Sequence, residues 1–203
     1  ETIGESFLKE CNSLRAVDLS SLTKLKLVGN EFLHSCQSLQ DVDLSALWNL
    51  ESISDSFIEN CYSLKTLKLP KTSKLTSIGN RFLEDCRVLT SLDLSSISKV
   101  QRIGNVFLNN CYGLRNINLE ALENITQIGS NFLKNCTTLS SINLSTWTNI
   151  QSISDSFLLN CYCLSDIYLP NKDASTITSQ STDFMTSVPP TCNLWTTSEF
   201  IDS

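Results

Sequence analysis

The run IGNRFLEDCRVLTSLDLS at residues 78–95 decides the fold, because it returns in register along the chain. It reads IGESFLKECNSLRAVDLS at residues 3–20 and IGNVFLNNCYGLRNINLE at residues 103–120. Cys11, Cys36, Cys61, Cys86, Cys111, Cys136 and Cys161 mark it every 25 residues with no insertion or deletion. Phe7, Phe32, Phe57, Phe82, Phe107, Phe132 and Phe157 stand four residues before each cysteine, and Leu14, Leu39, Leu64, Leu89, Leu114, Leu139 and Leu164 three after. A fixed period of this length is the mark of a repeat architecture, in which each copy is one structural unit.

Within a unit, apolar and polar residues alternate after the leucine, as in Val17, Asp18, Leu19 or Val42, Asp43, Leu44, which predicts a strand with one buried face. A second apolar pair follows in Leu25 and Val28, Leu50 and Ile53, or Leu75 and Ile78, and predicts a second short extended segment. Next comes Gly4, Gly29, Gly79, Gly104 or Gly129, with Ser54 and Ser154 in its place in two units, followed by residues such as Asn30, Asp55, Asn80 or Asn105. Asn and Asp accept N–H groups at helix N-caps, so this turn is expected to open one or two helical turns. On such a helix the phenylalanine and the cysteine, four apart, share an inward face.

One unit cannot bury its own apolar side, whereas copies stacked about 4.8 Å apart as parallel strands form a continuous core. A propeller blade needs about 40 residues and four strands, more than this period supplies. The expected fold is therefore an α/β repeat: a right-handed leucine-rich-repeat solenoid of about seven units, with a parallel concave sheet and short helical turns.

The 203 residues carry a net charge of −6 with both signs interspersed, which offers no broad basic face and argues against nucleic acid. No apolar run approaches the roughly 18 residues of a membrane span, and the first residues, ETIGESFLKE, lack the basic and apolar regions of a leader. Nine cysteines would suit a disulfide-rich domain, but seven belong to the repeat, lack the close pairing of zinc sites and fall on the inward face. They read as buried free thiols acting as small hydrophobes.

The I-G, F, C-x-x-L and L-x-L columns quoted above resemble the BspA-like leucine-rich repeats, the Treponema pallidum type, over residues 1 to 170. This chain departs from that pattern in a slightly longer stretch between strand and I-G turn, and in a variable residue before phenylalanine (Ser6, Glu31, Arg81, Val106). The resemblance implies the solenoid fold and a class of proteins that are often displayed at a surface or secreted and bind host or matrix molecules.

The array occupies residues 1–170, and its start in mid-unit suggests a piece of a longer array. Residues 171–203 read as a degenerate C-terminal cap, with the phenylalanine displaced to Phe184, the cysteine to Cys192 and CNLW supplying a last strand. A disulfide between Cys163 and Cys192, both off the ladder, would pin that cap.

No catalytic base and nucleophile pair, metal cluster or phosphate loop is legible, so neither enzyme activity nor a cofactor is expected. The single histidine, His34, falls in a column with Lys9, Glu59, Glu84, Asn109 and Lys134 that reads as solvated. The candidate binding site is the outward side of the first strand: Asp18, Asp43, Lys68, Asp93, Asn118, Asn143 and Tyr168, flanked by Arg15, Lys65 and Arg115 on one side and Asp41 on the other. The same column reads equally as a solubilising face with a weak ion ladder through Lys68.

Lys65, Lys68, Lys71 and Lys74 concentrate positive charge in one unit, and Tyr62, Tyr112 and Tyr162 follow alternate cysteines, groups that suit a carbohydrate or an acidic peptide. Asn124, Asn135 and Asn143 begin glycosylation sequons. The leading expectation is an extracellular or surface adhesion and recognition module for a protein or glycan. The alternative is a structural or assembly protein that packs against other chains, compatible with a cytoplasmic setting because its thiols are reduced.

Overall fold

A computed structural model describes residues 1–72, 74–151, 153–170 and 188–196. Among these residues twelve short strands follow one another: β1 (Thr2–Ile3), β2 (Leu27–Val28), β3 (Asp41–Asp43), β4 (Thr66–Lys68), β5 (Ser77–Ile78), β6 (Ser91–Asp93), β7 (Arg102–Ile103), β8 (Asn116–Asn118), β9 (Gln127–Ile128), β10 (Ser141–Asn143), β11 (Asp166–Leu169) and β12 (Asn193–Thr196). Every pairing among them is parallel, at a register of 25 residues up to β11, as in Asp41 against Thr66 or Ile78 against Ile103, and of 27 between β11 and β12. The alternating segment builds one row (β3, β4, β6, β8, β10, β11, β12) and the second apolar pair builds another (β1, β2, β5, β7, β9), so each unit is one rung contributing to two parallel rows.

The expected helical turns are absent from the described residues, and an alternating backbone takes their place. In each rung the residue before phenylalanine, the one after it and the third after it have positive φ, as at Arg81 (57°), Leu83 (55°) and Asp85 (58°). The Glu84 N–H donates to the Arg81 carbonyl at 3.3 Å and the Cys86 N–H to the Leu83 carbonyl at 3.3 Å, each closing a turn with positive φ at its third residue, the pattern of a type II turn. The remaining amides leave the rung: Arg81 N–H reaches Asn105 O and Leu83 N–H reaches Phe57 O. Two linked turns bury adjacent residues together, so the leucine or isoleucine after each phenylalanine is buried as well, a column from Leu33 to Leu158 that an inward helix face does not predict. Asn60, Asp85, Asn110, Asn135 and Asn160 hold the last positive-φ site, which these residue types tolerate best after glycine.

Phenylalanine rings stack from rung to rung with centroids 4.9–6.1 Å apart from Phe7 to Phe157. The cysteines form a second ladder with its own bond. Each Sγ–H donates to the carbonyl 28 residues back, Cys36 to Leu8, Cys61 to Leu33, Cys86 to Ile58, Cys111 to Leu83, Cys136 to Leu108 and Cys161 to Leu133, at 3.0–3.3 Å. The carbonyls of Leu83, Leu108 and Leu133 also accept the N–H of their own rung's cysteine, so both lone pairs of a buried oxygen are used. Sulfur here fills space and satisfies a polar group, which explains why the column is cysteine and not alanine. Burial pushes the thiols of Cys61 and Cys161 up to about 12.

The asparagine expected to cap its own rung caps the next one. Asn30 Oδ1 accepts the N–H of Asp55, Asp55 Oδ1 that of Asn80, Asn80 Oδ1 that of Asn105 and Asn105 Oδ1 that of Ser130, at 2.7–3.2 Å. The glycine just before it packs against the preceding rung: a Cβ on Gly104 would lie 2.7 Å from the backbone nitrogen of Asn80. Where serine replaces it, Ser54 and Ser154 donate their hydroxyls to the preceding rung at Val28 O and Ile128 O.

A further buried column, Leu47, Ile97, Leu122 and Trp147, completes the core, with Trp147 edge-on to Phe132 at 5.8 Å. Its exception, Thr72, is buried with its hydroxyl accepting the Lys74 N–H at 3.1 Å. Phe7, Cys11 and Leu14 are only partly buried and pack against the core from the first unit. At the other end β12 pairs with β11, Asn193 opposite Asp166. Cys163 and Cys192 are both free thiols, contrary to the disulfide reading: that register sets Cys192 next to Ser165, two residues along from Cys163. Phe184 lies outside the described residues.

Candidate functional site

The strand row brings the candidate residues onto one face. Asp18, Asp41, Asp43, Lys68, Asp93 and Asn118 are exposed there, with Asn143 and Tyr168 half-buried, and Arg15, Lys65 and Arg115 are exposed at the strand entrance. Most of the aspartate and asparagine column has a structural task. The N–H of Ser20, Ser45, Ser95, Glu120 and Ser145 donates to Oδ1 of Asp18, Asp43, Asp93, Asn118 and Asn143 at 2.9–3.2 Å, an Asx turn that ends each strand. The two units without Asp or Asn at this position carry Lys68 and Tyr168, and in both the residue two further on is a proline, Pro70 or Pro170, which has no N–H to cap. Lys68 and Tyr168 are thus the members of the column relieved of turn chemistry. The Asp-Leu-Ser and Lys-Leu-Pro triplets carried that signal in the sequence.

Charge on this face is paired along the rungs. Lys68 Nζ lies 3.1 Å from Asp43 Oδ2 across β3 and β4, and Lys65 Nζ donates to Gln40 Oε1 at 3.0 Å. Asn118 Nδ2 donates to Asp93 Oδ1 at 3.1 Å and Asn143 Nδ2 to Glu120 Oε1 at 2.9 Å. Ser45, through its hydroxyl and its N–H, holds the Asp43 carboxyl below the usual range. Tyr168 stacks on Trp195 of β12 at 6.3 Å, and Asp166 accepts from Ser165, from Trp195 Nε1 at 2.8 Å and from Asn193, which keeps its carboxyl low. Trp195 was missed because its place beside Tyr168 depends on a register outside the 25-residue period. A hollow of about 360 Å³ lined by Asn116, Asn118, Glu120, Ser141, Asn143 and Tyr168 opens on this face, and another of about 400 Å³ lies over Asp41, Asp43, Thr66 and Lys68.

The His34 column is not solvated as the sequence suggested. Glu59 and Glu84 are only 7% and 8% exposed, and the column forms a polar row: His34 Nε2 lies 3.7 Å from Glu59 Oε2, Arg81 Nη1 lies 2.9 Å from Glu84 Oε2, and Asn109 Nδ2 donates to Glu84 Oε1 at 3.0 Å. Burial raises the Glu84 carboxyl above its ordinary range. The alternating backbone turns this column inward beside its neighbours, where a helix would face it outward. All three sequon amides are engaged: Asn124 with Ser98 O, Asn135 with Asn110 Oδ1 and Asn143 with Glu120. Among the described residues no three His, Cys, Asp or Glu side chains gather to hold a metal, and no helix is long and apolar enough to cross a membrane.

About seven parallel rungs with leucine, phenylalanine and cysteine ladders inside and a polar strand face outside define a leucine-rich-repeat solenoid, a scaffold of the interaction class. The family model of the BspA type leucine rich repeat region matches residues 1–86 and 72–187 in six copies, and the chain belongs to that family. It is similar to a solved leucine-rich repeat protein from Bacteroides ovatus, at 17% identity and a TM-score of 0.39, over 93% of this chain and 61% of that one. No curated protein is a significant match.

Proposed function

We infer that the chain is a non-enzymatic recognition module, secreted or displayed at a cell surface, which binds a protein or glycan across the strand face between Asp43 and Tyr168. The observation that carries this reading is the pair of positions released from the Asx turns, Lys68 and Tyr168, each bordering a hollow on that face. Turn-forming aspartates account for themselves, whereas Lys68, paired with Asp43, and Tyr168, stacked on Trp195, stand where the backbone requires no Asx side chain, so their chemistry is open to selection by a partner. Aromatic side chains supply contact area at low entropic cost, and a desolvated charge supplies selectivity.

The test is adhesion of the chain to intact cells and to matrix-coated surfaces, compared with a Lys68→Glu, Tyr168→Ala double variant. Binding is expected to fall at least about tenfold, roughly 1.4 kcal/mol, with an unchanged melting temperature. Equal adhesion by the two proteins would exclude this face. Antibody labelling of the native protein inside cells and not on intact ones would exclude the surface role.

A further inference from the structure

A second surface lies where each linked turn passes toward the strand, along the column Tyr62, Arg87, Tyr112, Thr137 and Tyr162. Tyr112 and Tyr162 are 42% and 58% exposed, and Tyr62 is half-buried beneath Arg87, whose guanidinium stands 4.4 Å from its ring centroid and is anchored by Asp85 at 2.9 Å. A row of side chains runs alongside: Asn110 Nδ2 donates to Asp85 Oδ2, Asn135 to Asn110 and Asn160 to Asn135 at 2.7–3.1 Å, and Tyr162 donates its hydroxyl to Asn160 Oδ1 at 2.9 Å. Each amide nitrogen has two hydrogens, and the ladder engages one.

We propose that this ridge is a binding site for an extended β-1,4-linked polysaccharide lying along the stack, with Tyr112 and Tyr162 as stacking platforms. The dimensions of the stack match such a chain. Between Phe57 and Phe157, five residues before the tyrosines in each rung, successive rings are 5.0–6.1 Å apart, close to the length of one pyranose in an extended glycan. In such a chain each sugar is turned over relative to the last, so a given face recurs at every second sugar. The tyrosines recur at every second rung. Arg87 and Thr137 separate the rings, so the ridge is not the continuous apolar patch of a protein interface. The Asn and Asp row offers the donors and acceptors that ring hydroxyls need. The ridge is distinct from the strand face, and its occupancy does not depend on that site.

Calorimetric titration with cellohexaose and chitohexaose, with maltohexaose as control, tests the proposal. At least one β-1,4 hexaose should bind, its trimer about tenfold more weakly, and maltohexaose not measurably. Tyr112→Ser should weaken binding about tenfold, equivalent to about 1.4 kcal/mol, and Tyr112→Phe should retain most of it. The Lys68→Glu, Tyr168→Ala variant should bind as the parent does, which separates this site from the strand face. Failure of both β-1,4 hexaoses, equal binding of maltohexaose, or full binding by a folded Tyr112→Ser variant would overturn the assignment.

Discussion

Phe107→Ala is expected to destabilise the chain by about 3–5 kcal/mol, the range for truncating a fully buried aromatic side chain. Phe107 is entirely buried, stacked on Phe82 at 5.5 Å and on Phe132 at 5.0 Å, and its loss interrupts the ring ladder in mid-array. Neighbouring rungs cannot close the gap, because each is held at its own spacing by two rows of parallel strands and by the cysteine ladder. Phe7→Ala is the internal control. In residues 1–203 that ring stacks on Phe32 at 5.3 Å and is only partly buried, so its removal from this chain should cost less than half as much. Denaturant unfolding of the two variants beside the parent measures both, and equal losses would mean that the rings do not act as a ladder.

Gly104→Ala is expected to cost about 1–3 kcal/mol by overpacking. The added Cβ would meet the backbone nitrogen of Asn80 and the carbonyl carbon of Gly79 at 2.7 Å, and backbone of an adjoining rung does not yield as a side-chain end would. Serine is accommodated in this column at Ser54 and Ser154, where the hydroxyl gains a carbonyl in the preceding rung, a bond that alanine lacks. A Cβ on Gly4 meets nothing within 4 Å, so Gly4→Ala should be neutral or slightly stabilising through the unfolded chain. The contrast isolates rung-to-rung contact from any general cost of losing glycine.

The rung was legible in the sequence because its period never slips: one offset aligns Phe107 with Phe132 and Cys111 with Cys136, and alternation at Val42, Asp43 and Leu44 identified the strand and its buried side. The turn was misread because a spacing of four between Phe82 and Cys86 suits an inward helix face as well as two linked turns. The discriminating signs were the apolar residue directly after each phenylalanine, which a single helix stripe does not bury, and Asn or Asp before each cysteine from Asn60 onward. The candidate site was half-legible. Its column was found, but the N–H two residues on, present at Ser45 and absent at Pro70, is what separates turn formers from Lys68 and Tyr168. Trp195 could not be placed, since it joins the face through a 27-residue offset.

The cysteines stand as rungs of a buried ladder, and thiol labelling of the native chain with residue-level mass spectrometry puts that to the test. Cys163 is exposed and should react at once, Cys11 and Cys192 more slowly, and Cys36, Cys61, Cys86, Cys111, Cys136 and Cys161 only at the rate of unfolding, with all nine reacting in denaturant. Prompt labelling of Cys86 or Cys111 in the folded protein would contradict the stacked core.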